Sequence, residues 1–365
     1  MELGFLSPLF DRPGPWASVY FDTTTAPGDA ASRQQAHAHA ACARLRRQGA
    51  DQGTCRAVYD VLAAAGRPPQ PPGRAVFAAH GEVVLAPPLA TPPPGGGPHA
   101  CWEALPHTGP LLELLERHPV ALAARVHPAG ADLELHGPLG IRDAGRVRDS
   151  EAVADALSRC FSAYGAELLV LAGDVPARRA LHAQLPARLR NRTVQAARGS
   201  RRPLADEVAR ARNGHSRERT STAMARFVAG RVPTDDGRVW ATENVHSLAD
   251  AAREHRIGSL LIRPDGANVH REVWVGEDPD QMAVDRTGTE HLGGPPATAR
   301  ADDALLRAAA VTGAEVVCVR PGELAPDAPA GLPAGGLGAL LRWPYGGTRE
   351  GGGRDGGRRE PAARQ

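Results

Sequence analysis

The sequence predicts an α/β protein of three small domains in a row, the middle one a layered sheet with parallel strands. Three observations carry that expectation. The chain has 365 residues, long for one domain when ~150 residues is typical. Strand-like runs rich in β-branched and aromatic residues alternate with segments of helical period along its length. Breaker-rich stretches, RPPQPPGR (67–74) and TPPPGGGP (91–98), punctuate that alternation. Gly and Pro (41 and 33 residues) make up a fifth of the chain. That exceeds a usual ~12% but falls short of the ~25–30% that marks general disorder. Hydrophobic residues are 42% and aromatics only 4%, so the cores should be small-residue and helix-rich.

The first domain, 1–118, begins with WASVYFD (16–22), whose aromatic and branched residues read as a strand. Helices follow over Ala31–Arg47 and Gln52–Ala65, separated by Gly49, with Asp51 as N-cap of the second. AVFAAHGEVVLAPPL (75–89) reads as a hairpin turning at His80-Gly81, and Leu111–Leu115 as a short helix. The boundary falls at His118-Pro119.

The middle domain, 119–238, opens with strands at 120–126 and 131–137 around Pro128-Ala129-Gly130. Ser150 then reads as the cap of an apolar-periodic helix (Val153, Ala156, Leu157, Cys160, Phe161). GAELLVLAGDVPARRALHAQLP (165–186) reads as a buried strand and a helix with Pro176 in its first turn. A strand near Thr193–Ala196 and a long helix or helix pair over Pro203–Arg231, broken at Asn213-Gly214, complete the unit.

The third domain, 239–345, alternates a helix (247–256), strands (259–264 and 271–276), a helix (301–310) and strands (314–319 and 337–343). The tail, 346–365, has no apolar period and is expected to be disordered.

Five scattered cysteines without a C-x-x-C pair argue for a reducing compartment and against a thiolate zinc site. No basic, apolar leader opens the sequence and no run approaches ~18 apolar residues, so a soluble cytoplasmic protein without membrane contact is expected. His37, His39 and Cys42 are ligand-type residues, but their offsets on a helix spread them around its axis, and no metal is expected. LVLAGD (169–174) sits where nucleotide-binding folds keep their phosphate loop, yet it has one glycine and no Walker or dinucleotide pattern. No cofactor and no catalytic signature is read.

Charge is more telling. All 43 basic residues are arginine, and 41 acids leave a net of +2. Residues 178–219 hold twelve arginines against three acids, a net of +9, between acidic flanks of −4 and −3. Arg188, Arg190 and Arg192 alternate, so on an extended backbone they would share a side. Guanidinium forks suit phosphate oxygens, and such a block is what a polyanion binder presents. The alternative is that a lysine-free chain simply places arginine on solvated helices, Arg210–Arg219 among them. No aromatic-rich strand accompanies the block, so base stacking is not expected.

WASVYFDTTTAPGDAASRQQ, GRAVFAAHGEVVLAPPL, VALAARVHPAGADLELHG, AELLVLAGDVPARRALHAQLP, ARADDALLRAAAVTGAEVVCV and LGALLRW occur in order. Together they resemble the bacterial branch of the archaeal-eukaryotic release factor 1/Pelota superfamily, common in actinobacteria and including ribosome hibernation factors of the Balon type. The resemblance implies a decoding-region N-terminal domain, a middle domain directed at the peptidyl-transferase centre and an L7Ae-like C-terminal domain. It further implies occupation of the ribosomal A site in stress or hibernation, contact with rRNA, and association with elongation factor Tu. Two departures stand out. No glutamine follows a Gly-Gly pair, so the Gly-Gly-Gln tip of release factors is absent and a non-catalytic protein is expected. The link 137–150, GPLGIRDAGRVRDS, is short where many relatives carry a longer basic loop. Arg142, Arg146, Arg148, Arg188, Arg190, Arg192, Arg198, Arg201 and Arg202 are therefore the candidate rRNA phosphate contacts. Two alternatives stand beside this reading. One is an RNA- or tRNA-directed hydrolase using His136, Asp143 or Asp149; the other is a degenerate paralogue acting as a protein-binding module.

Overall fold

The computed structural model describes residues 3–24, 30–64, 71–95, 98–114, 119–137, 140–196, 203–292, 294–320 and 331–346. Arg198, Arg201, Arg202, His118 and the expected disordered tail beyond 346 lie outside the described residues, as does part of each breaker stretch.

The N-terminal sheet is built around β1 (Trp16–Asp22), which follows a single helical turn, α1 (Ser7–Phe10). Helices α2 (Ala30–Arg47) and α3 (Gln52–Ala63) precede β2 (Gly73–Ala79), β3 (Glu82–Leu85), β4 (Pro88–Leu89) and β5 (His99–Glu103). A turn of helix, α4 (Leu111–Leu114), closes the segment. The strand order is β3-β2-β1-β5, with β4 on β2. The period of two sorts β1 between two cores: Ala17, Val19 and Phe21 pack with α2 and α3, while Trp16 and Tyr20 face a second core. Burial on both faces explains why WASVYFD is almost continuously apolar. Asp51 caps α3 as expected, accepting the Thr54 N–H at 2.8 Å. His80 and Gly81 are both left-handed (φ 52° and 81°), the geometry a two-residue hairpin turn requires.

The middle sheet contains β6 (Ala121–His127), β7 (Gly130–Gly137), β8 (Gly140–Val147), β9 (Leu168–Gly173) and β10 (Thr193–Gln195), in the order β10-β9-β6-β7-β8. Strands β10, β9 and β6 run parallel, and β6, β7 and β8 form an antiparallel meander. Helices α5 (Val153–Ala163), α6 (Val175–Gln184) and the turn α7 (Ala187–Arg190) lie on one face, over Leu122, Ala124, Leu169 and Leu171. Helix α8 (Leu204–Gly230) covers the other with Leu204 and Val208 against Ala121, Ala123, Leu168 and Val170.

Several expectations change here. Most of the short link 137–150 is strand β8, whose Gly140 pairs with Gly137 and extends the antiparallel meander. Ser150 does not cap α5: Asp149 accepts the Glu151 N–H at 3.0 Å, and that turn moves the helix start to Val153, with Ala152 at the N-cap. Helix α8 runs unbroken through Asn213-Gly214, since it is anchored on both sides of them. A mid-helix glycine costs only ~1 kcal/mol against alanine, which such anchoring outweighs. Arg188 and Arg190 sit on a helical turn, so their alternation is not that of a strand.

The C-terminal sheet takes β11 (Arg238–Thr242), α9 (Val245–Arg253), β12 (Ile257–Ile262), β13 (Glu272–Val275), β14 (Met282–Ala283), β15 (Ala297–Arg300), α10 (Ala301–Val311), β16 (Glu315–Cys318) and β17 (Leu337–Gly346). Four strands order as β11-β17-β12-β16, while β14-β13-β15 form a separate small sheet that holds the expected 271–276 strand. Helices α9 and α10 cover one face of the larger sheet. The end of α8 covers the other, with Met224 and Phe227 against Ala241, Leu261 and Leu340. One core runs from Leu6, Leu9, Trp16 and Phe77 of the N-terminal part to Leu305, Leu306 and Leu337 of the C-terminal part. Among the described residues, no helix is long and apolar enough to cross a membrane.

Candidate nucleic-acid interface

The arginines of 178–219 divide by what their side chains touch. Arg178 is buried on α6 and donates to the Leu171 and Ala196 carbonyls at 3.1 and 2.8 Å, tying helix to sheet. Arg212 is buried on α8 and donates to the Pro119 carbonyl at 2.8 Å. Arg210 pairs with Glu207 at 2.9 Å. Arg219 bridges Glu167, just before β9 of the middle sheet (3.0 Å), and Glu315 of the C-terminal sheet, a cross-brace between the two. These four serve the fold. Arg179, Arg188, Arg190, Arg192 and Arg217 are exposed, and of these Arg188 reaches Ser162 Oγ at 3.3 Å. Leu189 is buried between Arg188 and Arg190 and fixes their turn against the helical face of the sheet.

The second group is Arg142 and Arg146 on β8 and Arg148 just past its end, all three exposed. Directly opposed residues of an antiparallel pair share a face. Arg142 is opposite Leu135 and Arg146 opposite Asp132, and a bulge lies between. Positions 135 and 132 alternate, so the two arginines project to opposite faces. Arg146 also forms a close ion pair with Asp132. The six described candidate arginines therefore do not form one patch. Arg188, Arg190 and Arg192 precede the β10 edge, and the β8 edge lies four strand spacings away, ~19 Å at ~4.8 Å each. The stretch 187–192 is the denser phosphate-facing feature.

The residues of the hydrolase reading are occupied elsewhere. His136 is 4% exposed and 3.2 Å from Glu134, and burial lowers its pKa. Asp143 and Asp149 accept the Gly145 and Glu151 N–H groups at 2.8 and 3.0 Å and serve as turn residues.

A cavity of about 430 Å³ opens at the carboxyl ends of β6 and β9, lined among others by His127, Ser150, Glu151, Asp174 and Gln184. This is where open α/β sheets take ligands, but its charge opposes a phosphate. Asp174 spends its carboxylate capping α6 through the Ala177 N–H at 2.9 Å. Gly173 (φ 98°) lies against the Val126 carbonyl, and a Cβ there would approach it to 2.2 Å. His37, His39 and Cys42 diverge: the His39 ring packs tilted against Tyr59, centroids 4.9 Å apart, while Cys42 is buried and donates to the Cys55 carbonyl at 3.1 Å. Among the described residues, Glu103, His107 and Asp303 are the grouping whose donor atoms gather within 4.8 Å. Arg300 already brings a positive charge to that group, its Nε 3.6 Å from Asp303 Oδ2. Nothing in the sequence signalled this grouping, because the loop and helix that form it are far apart in the chain.

Comparison with known proteins fits the middle of the chain most directly. Residues 143–232 match the family described as bacterial archaeo-eukaryotic release factor family 2. That span runs from β8 to just beyond α8 and includes every arginine of the basic block. Two uncharacterized proteins from different strains of Mycobacterium tuberculosis are each 28% identical over 369 residues, covering 90% of this chain and 94% of theirs. Among solved structures, Archaeoglobus fulgidus Pelota is similar at 14% identity and a TM-score of 0.33, over 74% of this chain and 79% of its own. An archaeal Pelota from a ribosome-bound Pelota–ABCE1 structure is similar at 15% identity and a TM-score of 0.40, over 93% and 94%. An archaeal translation termination factor is similar at 14% identity and a TM-score of 0.24, over 93% and 96%. The likeness to the bacterial archaeo-eukaryotic release factor family thus rests on residues 143–232, the segment that carries the arginine-rich turn and helix α8.

Proposed function

We propose that this protein is a non-catalytic, ribosome-binding factor that occupies the A site in stress or hibernation. The observation that carries the reading is the coincidence of the family match with the basic block: residues 143–232 contain the whole of 178–219. Within it, Arg188, Arg190 and Arg192 offer exposed guanidinium groups to rRNA phosphates. Arg142 and Arg146 on β8, with Arg148 just beyond it, form a second, thinner contact. Arg198, Arg201 and Arg202 lie in the same basic stretch and belong to the proposal by sequence alone. The missing Gly-Gly-Gln tip and the hydrogen-bonded roles of His136, Asp143 and Asp149 favour docking without hydrolysis. Elongation factor Tu is the proposed delivery partner and the cytoplasm the proposed location.

Purified protein and ribosomes test this by competition. The protein should co-sediment with ribosomes whose A site is vacant and be excluded when that site holds aminoacyl-tRNA. Equal binding to both would refute A-site docking. Cleavage of peptidyl-tRNA that is lost in Asp143→Ala would instead establish the hydrolase reading.

A further inference from the structure

The loop PHTGP (106–110) meets the residues ADD (301–303) that open α10, joining segments almost two hundred positions apart. His107 Nδ1 lies 2.8 Å from Asp303 Oδ2. Asp303 Oδ1 accepts the Thr108 N–H at 2.7 Å, the Gly109 N–H at 3.0 Å and the Thr108 hydroxyl at 3.3 Å. The loop is also held from its own side. Tyr20 donates its hydroxyl to the His107 carbonyl at 2.6 Å, and Ser18 Oγ accepts the His107 N–H at 2.9 Å. Gly109 is a close fit: a Cβ there would lie 2.6 Å from Asp302 Oδ2. Arg300 donates to both oxygens of Asp302 at 3.1 and 3.0 Å and contacts His270. A second tie, Arg320 to Glu113 at 3.2 Å, crosses the same joint.

The groups facing one another here are Glu103, Asp302 and Asp303, Arg300, and the two imidazoles His107 and His270. Tyr20 and Cys101 stay neutral, both raised by burial. With His107 neutral, three carboxylates face one guanidinium, and a buried cluster of that balance gains by taking up a proton. Burial alone would lower His107, but the charge and hydrogen bond of Asp303 outweigh it and the net direction is upward from 6.5. Burial, then Asp303, brings Asp302 up to about 6, and burial raises Glu103. His270 is lowered by burial and then by Arg300, which lies on its own side of the joint and stays beside it when the joint opens.

We propose that the His107–Asp303 contact is a protonation-controlled clasp that holds the N-terminal sheet on the C-terminal domain, tighter in acid and looser in alkali. His107, Asp302 and Glu103 all bind a proton more firmly in the closed joint than in the open one. The closed joint is therefore favoured below the ordinary histidine value and loses that advantage as pH rises through the raised value of His107. The inference does not depend on ribosome binding.

Hydrogen exchange on the intact chain tests it, after correction for the intrinsic pH dependence of exchange. Protection of the Thr108 and Gly109 amides should fall at least tenfold between about pH 6 and pH 9, while Leu169 and Val170 of the middle sheet keep theirs. In His107→Gln the pH dependence of Thr108 and Gly109 protection should shrink to the small part that Asp302 supplies near its value of about 6. An NMR titration should place the His107 ring above its ordinary value. Constant protection in the wild type, the same pH dependence in His107→Gln, or a His107 value at or below the ordinary one would each overturn the proposal. Equal loss at Leu169 and Val170 would also overturn it, as unfolding rather than opening.

Discussion

Phe227 is where the long helix α8 meets the C-terminal sheet, and its neighbour Gly338 makes that joint open to a double-mutant test. The ring is fully buried, and a Cβ built at Gly338 would lie 2.8 Å from both Cε2 and Cζ. Gly338→Ala must therefore displace the ring, and overpacking of this sort costs ~1–3 kcal/mol. Phe227→Ala leaves a cavity and should cost ~3–5 kcal/mol. Of that, ~0.5–1 kcal/mol reflects the Arg231 guanidinium, which sits over the ring at 5.1 Å. In the double variant the missing ring vacates the space the new methyl needs. The combined cost should then be smaller than the sum of the two by ~1–2 kcal/mol. Urea unfolding followed by circular dichroism, with tryptophan fluorescence as a second probe, measures all three variants. Costs that add, or a Gly338→Ala variant as stable as the wild type, would refute this packing.

Two further predictions separate structural arginines from binding ones. Arg178→Leu removes a buried guanidinium that satisfies two carbonyls and should cost ~1–3 kcal/mol in denaturant unfolding, while leaving the salt dependence of ribosome binding unchanged. Arg219→Gln should destabilise by under ~1 kcal/mol, because its ion pairs are partly exposed. Burial would raise Glu315, but the Arg219 hydrogen bond and charge outweigh it and hold its carboxyl below 4.5. That contribution is present above the ordinary carboxylate value and lost as pH falls through the lowered one. The stability gap between wild type and Arg219→Gln should therefore close between about pH 5 and pH 3 in denaturation curves.

Local patterns were readable where one segment determines its own conformation. The Asp51 cap, the His80-Gly81 turn and Pro176 at the start of α6 are all of this kind, and the structure places each as the sequence predicts. What distant segments decide was not readable. Asn213-Gly214 looked like a break because nothing nearby shows that Val208 and Phe227 are anchored on two different sheets. The +9 block was correct as a count, yet composition weighs Arg178, buried under a helix, the same as Arg188 in solvent. Ser150 had the chemistry of a cap, but Asp149 beside it formed the turn first. The clasp of His107 and Asp303 left no trace in either segment taken alone.

The most direct measurement is the salt dependence of ribosome binding in wild type and in Arg188→Ala/Arg190→Ala/Arg192→Ala. Removing one arginine that neutralises a phosphate should reduce the log–log slope by ~0.7–0.9, so the triple variant should bind more weakly, with a slope shallower by ~2. Folding is not at risk, since all three side chains are exposed. An unchanged affinity and slope in the triple variant would contradict docking through this arginine turn.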